Sequence, residues 1–456
     1  MHHHFIARGL AAMLLTALVL ATAGSQAAAP HIVFFLIDDL GHADCGFGGG
    51  KDIRTPNIDA LAKGGAVLNH HYVQPVCSPT RSALLTGRLP TKTGVYTIVR
   101  PKAPWGLPLA ERTLAQALGS VGYQCAIVGK WHLGEYQPGY LPLARGFHQQ
   151  HGHYFGAIDY YTHERDGKHD WQHNDQPLKE EGYSTELLSR EACRLIKAHP
   201  QGKPLFLYLP FNGIHSPLQV PDKYLQGYDH LQGPRRTLAG MLSAVDEAIG
   251  QVLSALQQQD MRKDCLIVFS ADNGGPPPGN NGPLRGFKGS LHEGGIRGCA
   301  FANWPGHIPA GQRLDEPTQI CDWYPTLLKL AGADLNQDLP IDGHDLWPLL
   351  TQQAPSPHAH LIVAQSPQQA MIREGPWKLI QLSPRSSGPK AKTKKAKTGN
   401  KAQAHSSEPL QLYHLGEDPG ETRNLISSQA DLAKRLQQTL QRELAKAVPG
   451  GDRSPP

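Results

Sequence analysis

The chain has 456 residues, 39% of them hydrophobic, with 44 Lys and Arg against 39 Asp and Glu. That apolar share supports a packed globular protein, and no internal repeat points to a solenoid or fibre. The formal charge of +5 partly reflects one run, Lys390 to Lys401. No recognised nucleic-acid-binding motif accompanies it, which argues against nucleic acid as a partner.

The N-terminus carries Arg8, an apolar run from Leu10 to Ala23, and small residues through Ala29. This pattern predicts a secretory signal peptide over 1–27, cut near Ser25 to Ala28, and export to the periplasm or beyond. The run is too short for a comfortable membrane span, and no later segment is apolar enough for one. No Cys lies near the cleavage region to take a lipid anchor. The remaining chain, about 430 residues, exceeds one ordinary core. A large domain over 30–347 and a smaller one over 348–450 are therefore expected.

Ile32–Ile37 is a short apolar run of strand-forming residues ended by Asp38-Asp39. Thr113–Gly122 reads as a helix, Gln124–Val128 as a strand, and Gly129-Lys130-Trp131-His132 follows. Tyr183–His199 has helical spacing and leads to the strand Leu205–Leu209. Arg236–Gln259 is the longest amphipathic candidate, and Cys265–Ser270 is another buried strand. Strands alternating with helices predict an α/β fold, a large, mostly parallel sheet flanked by helices.

Beyond Pro348 the texture changes. His360–Gln365, Gln369–Arg373, Trp377–Leu382 and Gln411–His414 read as short antiparallel strands, and Ala430–Ala447 as a closing helix. Between the last two strands lies 383–407, a Lys/Ser/Gly/Ala stretch without apolar periodicity. It reads as a mobile loop: a solvated insertion or a basic tether for an anionic polymer.

Three apolar strands end in polar clusters: Asp38-Asp39, Lys130 with His132, and Asp272-Asn273. In open α/β sheets the ligand site lies beyond the carboxyl ends of the strands. A lone Asp-Asp reads as a capped turn, but two carboxylate-bearing strand ends favour an all-oxygen site for Ca²⁺ or Mg²⁺. Lys130 and His132, two apart on an extended segment, can face one side. Cys77-Ser78-Pro79-Thr80-Arg81 offers a small nucleophile, a fixed backbone and an Arg. A thiol beside an Arg at a helix start would have a depressed pKa, whereas the plainer reading is a half-buried thiol followed by an ordinary helix. The other six cysteines allow fifteen pairings, and their spacing favours none. Cys125 and Cys265 sit beside strand-like runs and are expected as buried thiols.

The run from Cys77 through Arg81, continued by Leu85-Thr86-Gly87-Arg88, resembles the maturation signature of type I formylglycine-dependent sulfatases. The resemblance extends from about His31 to about Ala447 and takes in the Gly129–Gly134 segment, Trp377-Lys378-Leu379-Ile380 and the Asp418-Pro419 turn. It implies the alkaline-phosphatase-like sulfatase fold with a small C-terminal subdomain. It also implies that Cys77 is oxidised to formylglycine by a maturation enzyme, and that Asp38, Asp39, Asp272, Asn273 and position 77 hold one Ca²⁺ or Mg²⁺. Lys130 and His215 then meet the sulfate, Lys288 the ester oxygen, and His132 the formylglycine hydroxyl. Arg81 belongs to the same cationic surround. Cleaving a sulfate ester gathers negative charge, which such cations offset. One hydroxyl of the hydrated aldehyde attacks sulfur, His215 or Lys288 protonates the alcohol, and His132 assists collapse of the hydrate.

Gln74–Cys77, Arg145-Gly146-Phe147, Asp159–Glu164, Leu284–Gly286 and Glu293–Gly298 resemble the arylsulfatase B (N-acetylgalactosamine 4-sulfatase) branch. That implies a sulfated carbohydrate substrate, with selectivity assigned to the His-rich stretch His148–His173 near the mouth of the site. Two rivals are a phosphate mono- or diester hydrolase of the alkaline phosphatase superfamily and a non-catalytic glycan-binding relative. The full signature argues against the first, and the presence of Cys77, Lys130 and His132 against the second.

Overall fold

A computed structural model describes residues 29–382 and 408–451. The expected signal peptide and the basic 383–407 loop lie outside the described residues.

The first strand, His31–Ile37, explains the rest of the layering. Its side chains alternate between two buried faces, so an unbroken apolar run is required. Val33, Phe35 and Ile37 pack in one core with Leu187 and Leu188 of helix Ser184–Lys197 and Val245 and Ile249 of helix Gly233–Gln258. Ile32, Phe34 and Leu36 pack in the opposite core with Leu84, Leu85, Leu114, Leu118 and Trp323. The sheet has eleven strands. At its centre His31–Ile37 lies between Cys265–Ala271 and Leu205–Phe211, parallel to both, and Gln124–Lys130 follows, also parallel. One flank turns antiparallel, where Arg297–Asn303 pairs with Cys265–Ala271 and with Ala66–Tyr72. The fold is thus the expected α/β sheet, parallel at its centre and mixed at both flanks.

Register decides what the strands deliver. Ile37 pairs with Ala271 and with Phe211, so Asp38, Asp272 and Asn212 leave the sheet at one level. Backbone bonds lock that edge: Asp38 N donates to Gly213 O at 3.1 Å, and Asp272 N to Ile37 O at 3.1 Å.

The second layer is a four-stranded antiparallel sheet in the order Leu361–Ser366, Gln369–Glu374, Trp377–Gln381, Leu410–His414. Helix Ala430–Leu444 closes it, burying Ala433, Leu436 and Leu440 against Ile372, Leu379 and Leu412. Each fully buried leucine contributes about 1.5–3 kcal/mol, so this small core holds the helix without help from propensity. All seven cysteines are free thiols, Cys125 and Cys265 buried as expected. Among the described residues no helix is long and apolar enough to cross a membrane.

Candidate active site

Cys77 opens helix Cys77–Thr86, every residue of which is buried. Pro79 falls in the first turn, where a missing N–H costs nothing. Thr80 anchors the turn: its Oγ1 accepts from Gln74 N at 2.9 Å and donates to Asp272 O at 2.6 Å. The helix stops at Gly87, with φ +69, where a Cβ would come 2.8 Å from the Tyr324 ring. Only glycine suits that left-handed, crowded position. The motif therefore builds a rigid helix start aimed at the strand ends.

One ligand atom each from Asp38, Asp39, Cys77 and Asp272 lies within 4.8 Å of all the others. Cys77 Sγ is 3.5 Å from Asp38 Oδ1, and Asp39 N donates to Asp272 Oδ1 at 3.2 Å. Asn273 joins them, its Nδ2 donating to Asp39 Oδ1 at 2.8 Å. Its own Oδ1 is buried without a hydrogen-bond partner. An orphaned carbonyl oxygen among three buried carboxylates fits a hard divalent cation. Burial, then the charge of Asp38, pushes Asp272 up to about 6. Burial also acts on Asp38, but Lys130, His215, Arg81 and Lys288 together hold it well below the usual carboxylate range.

The cations form two layers. Lys130 is fully buried and ion-paired with Asp38. Arg81, also fully buried, donates to Asp272 Oδ2 at 2.9 Å and to Lys130 O at 2.8 Å. Arg81 thus stands behind the carboxylates rather than in the open face of the site. Lys288 and His215 are each 19% exposed and approach Asp39 from the open side, at 2.5 Å and 3.6 Å. His215 Nδ1 donates to Ser216 O at 2.6 Å, which leaves Nε2 to face the site. Burial opposes the Lys288 charge, but its acidic neighbours, the Cys77 thiol and the carboxylates of Asp39 and Asp38, raise its pKa.

Two expectations need correction. The Cys77 thiol is not acidic: burial, reinforced by Asp38, pushes it up to about 12. At a fully buried site desolvation and the adjacent carboxylate outweigh Arg81, which is already engaged by Asp272. His132 does not continue an extended strand either. The strand ends at Lys130, and His132 has φ +57. Ser78 Oγ holds the His132 carbonyl at 2.8 Å. Burial, then Lys130, drives the His132 pKa well below its ordinary value, so the ring is neutral. Lys130 and His132 still meet at the site, through a turn rather than a shared strand face.

The sequence reading missed the supports. His153 is fully buried, and its pKa is driven well down, first by burial and then by Lys130. A Cβ on Gly156 would clash with the edge of the His132 ring, coming within 2.5 Å of Cε1. Asp170 accepts from Tyr154 N at 3.0 Å and Phe155 N at 2.6 Å, fixing the chain before Gly156. Tyr160 OH lies 2.7 Å from the carbonyls of both Asn212 and His215 and pins the His215 loop. Glu293–Ile296 positions neighbours instead of meeting the cluster: Gly274 N donates to Gly295 O at 3.0 Å and Gly294 N to Arg285 O at 2.7 Å. The His-rich stretch is not one rim, because His151, His153 and His163 are buried while His148 and His169 are partly covered or open.

The chain matches the Sulfatase family over residues 30–333. It is 39% identical over 368 residues to arylsulfatase J of Mus musculus, covering 78% of this chain and 61% of that one. It is 31% identical to N-acetylgalactosamine-6-sulfatase of Mus musculus, over 96% of this chain and 90% of that one. The crystal structure of Ps i-CgsB in complex with k-i-k-neocarrahexaose superposes with a TM-score of 0.82 and 32% identity, covering 92% of this chain and 94% of that chain. These relatives do not single out the 4-sulfatase branch that the segments suggested. The chain belongs to the sulfatase family, the formylglycine-dependent enzymes that hydrolyse sulfuric esters.

Proposed function

We propose that this enzyme is an exported sulfatase that removes sulfate from a galactose or galactosamine unit of a sulfated glycan. The observation that carries the reading is the convergence of Cys77, three buried carboxylates and the open-facing Lys288 and His215 at one sheet edge. The names of two similar proteins support the sugar class: one acts on N-acetylgalactosamine 6-sulfate, and one was solved with neocarrahexaose. The segments resembling arylsulfatase B support position 4 and removal from a chain end. We assign the catalytic domain to 30–347 and the subdomain to 348–450.

Position 77, once oxidised by a maturation enzyme to formylglycine, supplies the nucleophilic hydroxyl of an aldehyde hydrate. Asp38, Asp39, Asp272 and Asn273 would hold Ca²⁺ or Mg²⁺ beside it, a Lewis acid that stabilises developing negative charge. The remaining work falls to this chain's side chains. Lys130 and Lys288 offset charge on the sulfuryl oxygens, and Arg81 keeps Asp272 ionised and oriented. Neutral His132 takes a proton from position 77. Lys288, the charged group on the open side, gives one to the departing alcohol, with His215 Nε2 facing the site beside it. Phe287, 45% exposed next to Lys288, offers an apolar face for a sugar ring. Gln365 and Gln369 from the subdomain line a cavity of about 240 Å³ that includes Lys288, and they supply amide groups for hydroxyls.

The test is desulfation of a panel of defined galactose and galactosamine 2-, 4- and 6-sulfates, run beside matched phosphate esters. Mass spectrometry of the peptide carrying Cys77 accompanies it. Turnover is expected to rise in proportion to aldehyde content, with 4-sulfates cleaved fastest. Faster release from 6-sulfates would move the position and leave the sulfatase reading intact. Faster phosphate release would overturn the substrate class. Full multiple turnover with an unmodified thiol would overturn the role of position 77.

A further inference from the structure

Outside the active site, three metal-binding side chains converge from separate elements. Strands Gln149–His153 and Gln172–His173 pair antiparallel, with His151 opposite His173. The two Nδ1 atoms face each other at 3.4 Å. Glu191, on helix Ser184–Lys197, completes a set whose ligand atoms lie within 4.8 Å of one another. We propose that His151, His173 and Glu191 form a second metal site, for Zn²⁺, that clamps this hairpin to the helix.

The geometry favours a cation over a mere contact. Two nitrogens each about 2.0–2.1 Å from a tetrahedral Zn²⁺ stand about 3.4 Å apart. A proton shared between the rings is the competing occupant of that gap. It would leave Glu191 unused by either ring, whereas a cation engages all three groups. The surroundings also orient the ligands as metal-bound histidines require. His151, 4% exposed, has its Nε2 buried without an aligned hydrogen bond, yet 3.3 Å from Glu180 Oε2. Trp171 Nε1 donates to that same oxygen at 2.8 Å, and Arg190 pairs with the other. A carboxylate behind a ligating imidazole fixes its tautomer and raises its basicity. Trp171 also holds the His151 ring edge-on at 5.2 Å and stacks on His163 at 4.4 Å. Arg194 donates to both Glu191 oxygens at 2.7 Å, and each oxygen keeps a second lone pair for a metal. Asn174 Nδ2 lies 3.3 Å from His173 Nε2 on the open side. Two imidazoles and one carboxylate select Zn²⁺ over Ca²⁺, with water as the fourth ligand. The same connection, through Asp170, holds Tyr154 and Phe155 next to Gly156, against which His132 sits.

The full chain, stripped with chelator and re-equilibrated with micromolar Zn²⁺, should retain one more zinc than His173→Ala or Glu191→Gln by elemental analysis. That difference cancels any zinc taken up by His2 to His4. Added Zn²⁺ should raise the Tm of the wild type by several degrees and leave both variants unmoved. Co²⁺ should give the intense visible bands of a tetrahedral site in the wild type only. Equal zinc in wild type and in the isosteric Glu191→Gln variant, or only weak octahedral cobalt bands, would overturn the site.

Discussion

Two buried charge clusters in this protein look alike by composition and differ in what they do. At the strand ends Asp38, Asp39 and Asp272 face Lys130, Arg81 and Lys288. At the junction of the two layers Glu293 and Glu421 share Lys378, each 2.8 Å away. Tyr72 OH closes on Glu293 at 2.9 Å, and Arg373 donates to Tyr72 OH at 2.7 Å. The carboxylates of both clusters are buried. The first has a carbonyl oxygen with no partner and two cations on an open side, at the edge where the parallel strands end. The second is covered by both layers, its Lys378 and Glu293 fully buried. Buried charge alone therefore does not mark chemistry here; carboxylates met by cations that reach an open side do.

The largest expected effect separates the clusters by function. Asp272→Asn preserves volume and an acceptor for Arg81 but removes one carboxylate charge. Turnover should fall on the order of 10³-fold or more, since charge stabilisation at such sites is worth several kcal/mol. Bound calcium, measured by elemental analysis, should fall with it while the circular dichroism spectrum stays native. Stoichiometric calcium in this variant would remove Asp272 from the ligand set.

Lys378→Met is the counterpart in the other cluster. It leaves two buried carboxylates without their shared ammonium, a loss of about 3–5 kcal/mol in stability. Denaturant midpoints should drop accordingly, and activity per folded molecule should hold. A large fall in turnover at full folding would show that this cluster reaches into the chemistry.

Gly156→Ala probes the active cluster without touching a charge. The added methyl displaces the His132 ring, and a displacement near 1 Å costs about 10²-fold in turnover. The effect on Tm should be small, because the site lies on a loop whose neighbour is a side chain. An unchanged turnover would mean that His132 is not the base.

How much of this was legible beforehand follows from the same physics. Strand Ile32–Ile37 and a helix start near Cys77 could be read because local pattern and tertiary demand agree there. Strand ends bearing Asp38, Lys130 and Asp272 could be placed at one edge, since parallel strands share a carboxyl end. The Cys77 thiol was misjudged because burial of the whole helix is a tertiary fact. His153, Gly156 and Asp170 carry no local signal: one reads as a decorated strand, one as a turn, one as a solvent carboxylate. The function of Glu293 was also hidden, because its partner Lys378 lies 85 positions away.

The smallest effect concerns pH and the second cluster. Burial, and then the charge of Glu293, pushes Glu421 up to about 7 against the pull of Lys378. A carboxyl whose folded pKa is raised binds its proton more tightly in the native state than in the unfolded one. Its contribution to stability is therefore fully present below the unfolded value of about 4.5 and is lost as pH rises through about 7. Glu293 behaves oppositely: burial opposes its charge, but Lys378, then Arg297, hold it at about 2, so its contribution persists until pH falls toward that value. Between these limits Glu421 makes stability decline with rising pH, by about 3 kcal/mol. Glu421→Gln keeps the shape and removes the titration. Its unfolding midpoint should fall less steeply than that of the wild type between pH 6 and 7, above the Asp272 titration, as read by urea titrations across that range. Parallel slopes in the two proteins would assign the pH dependence elsewhere and leave Lys378 shared by two ionised carboxylates throughout.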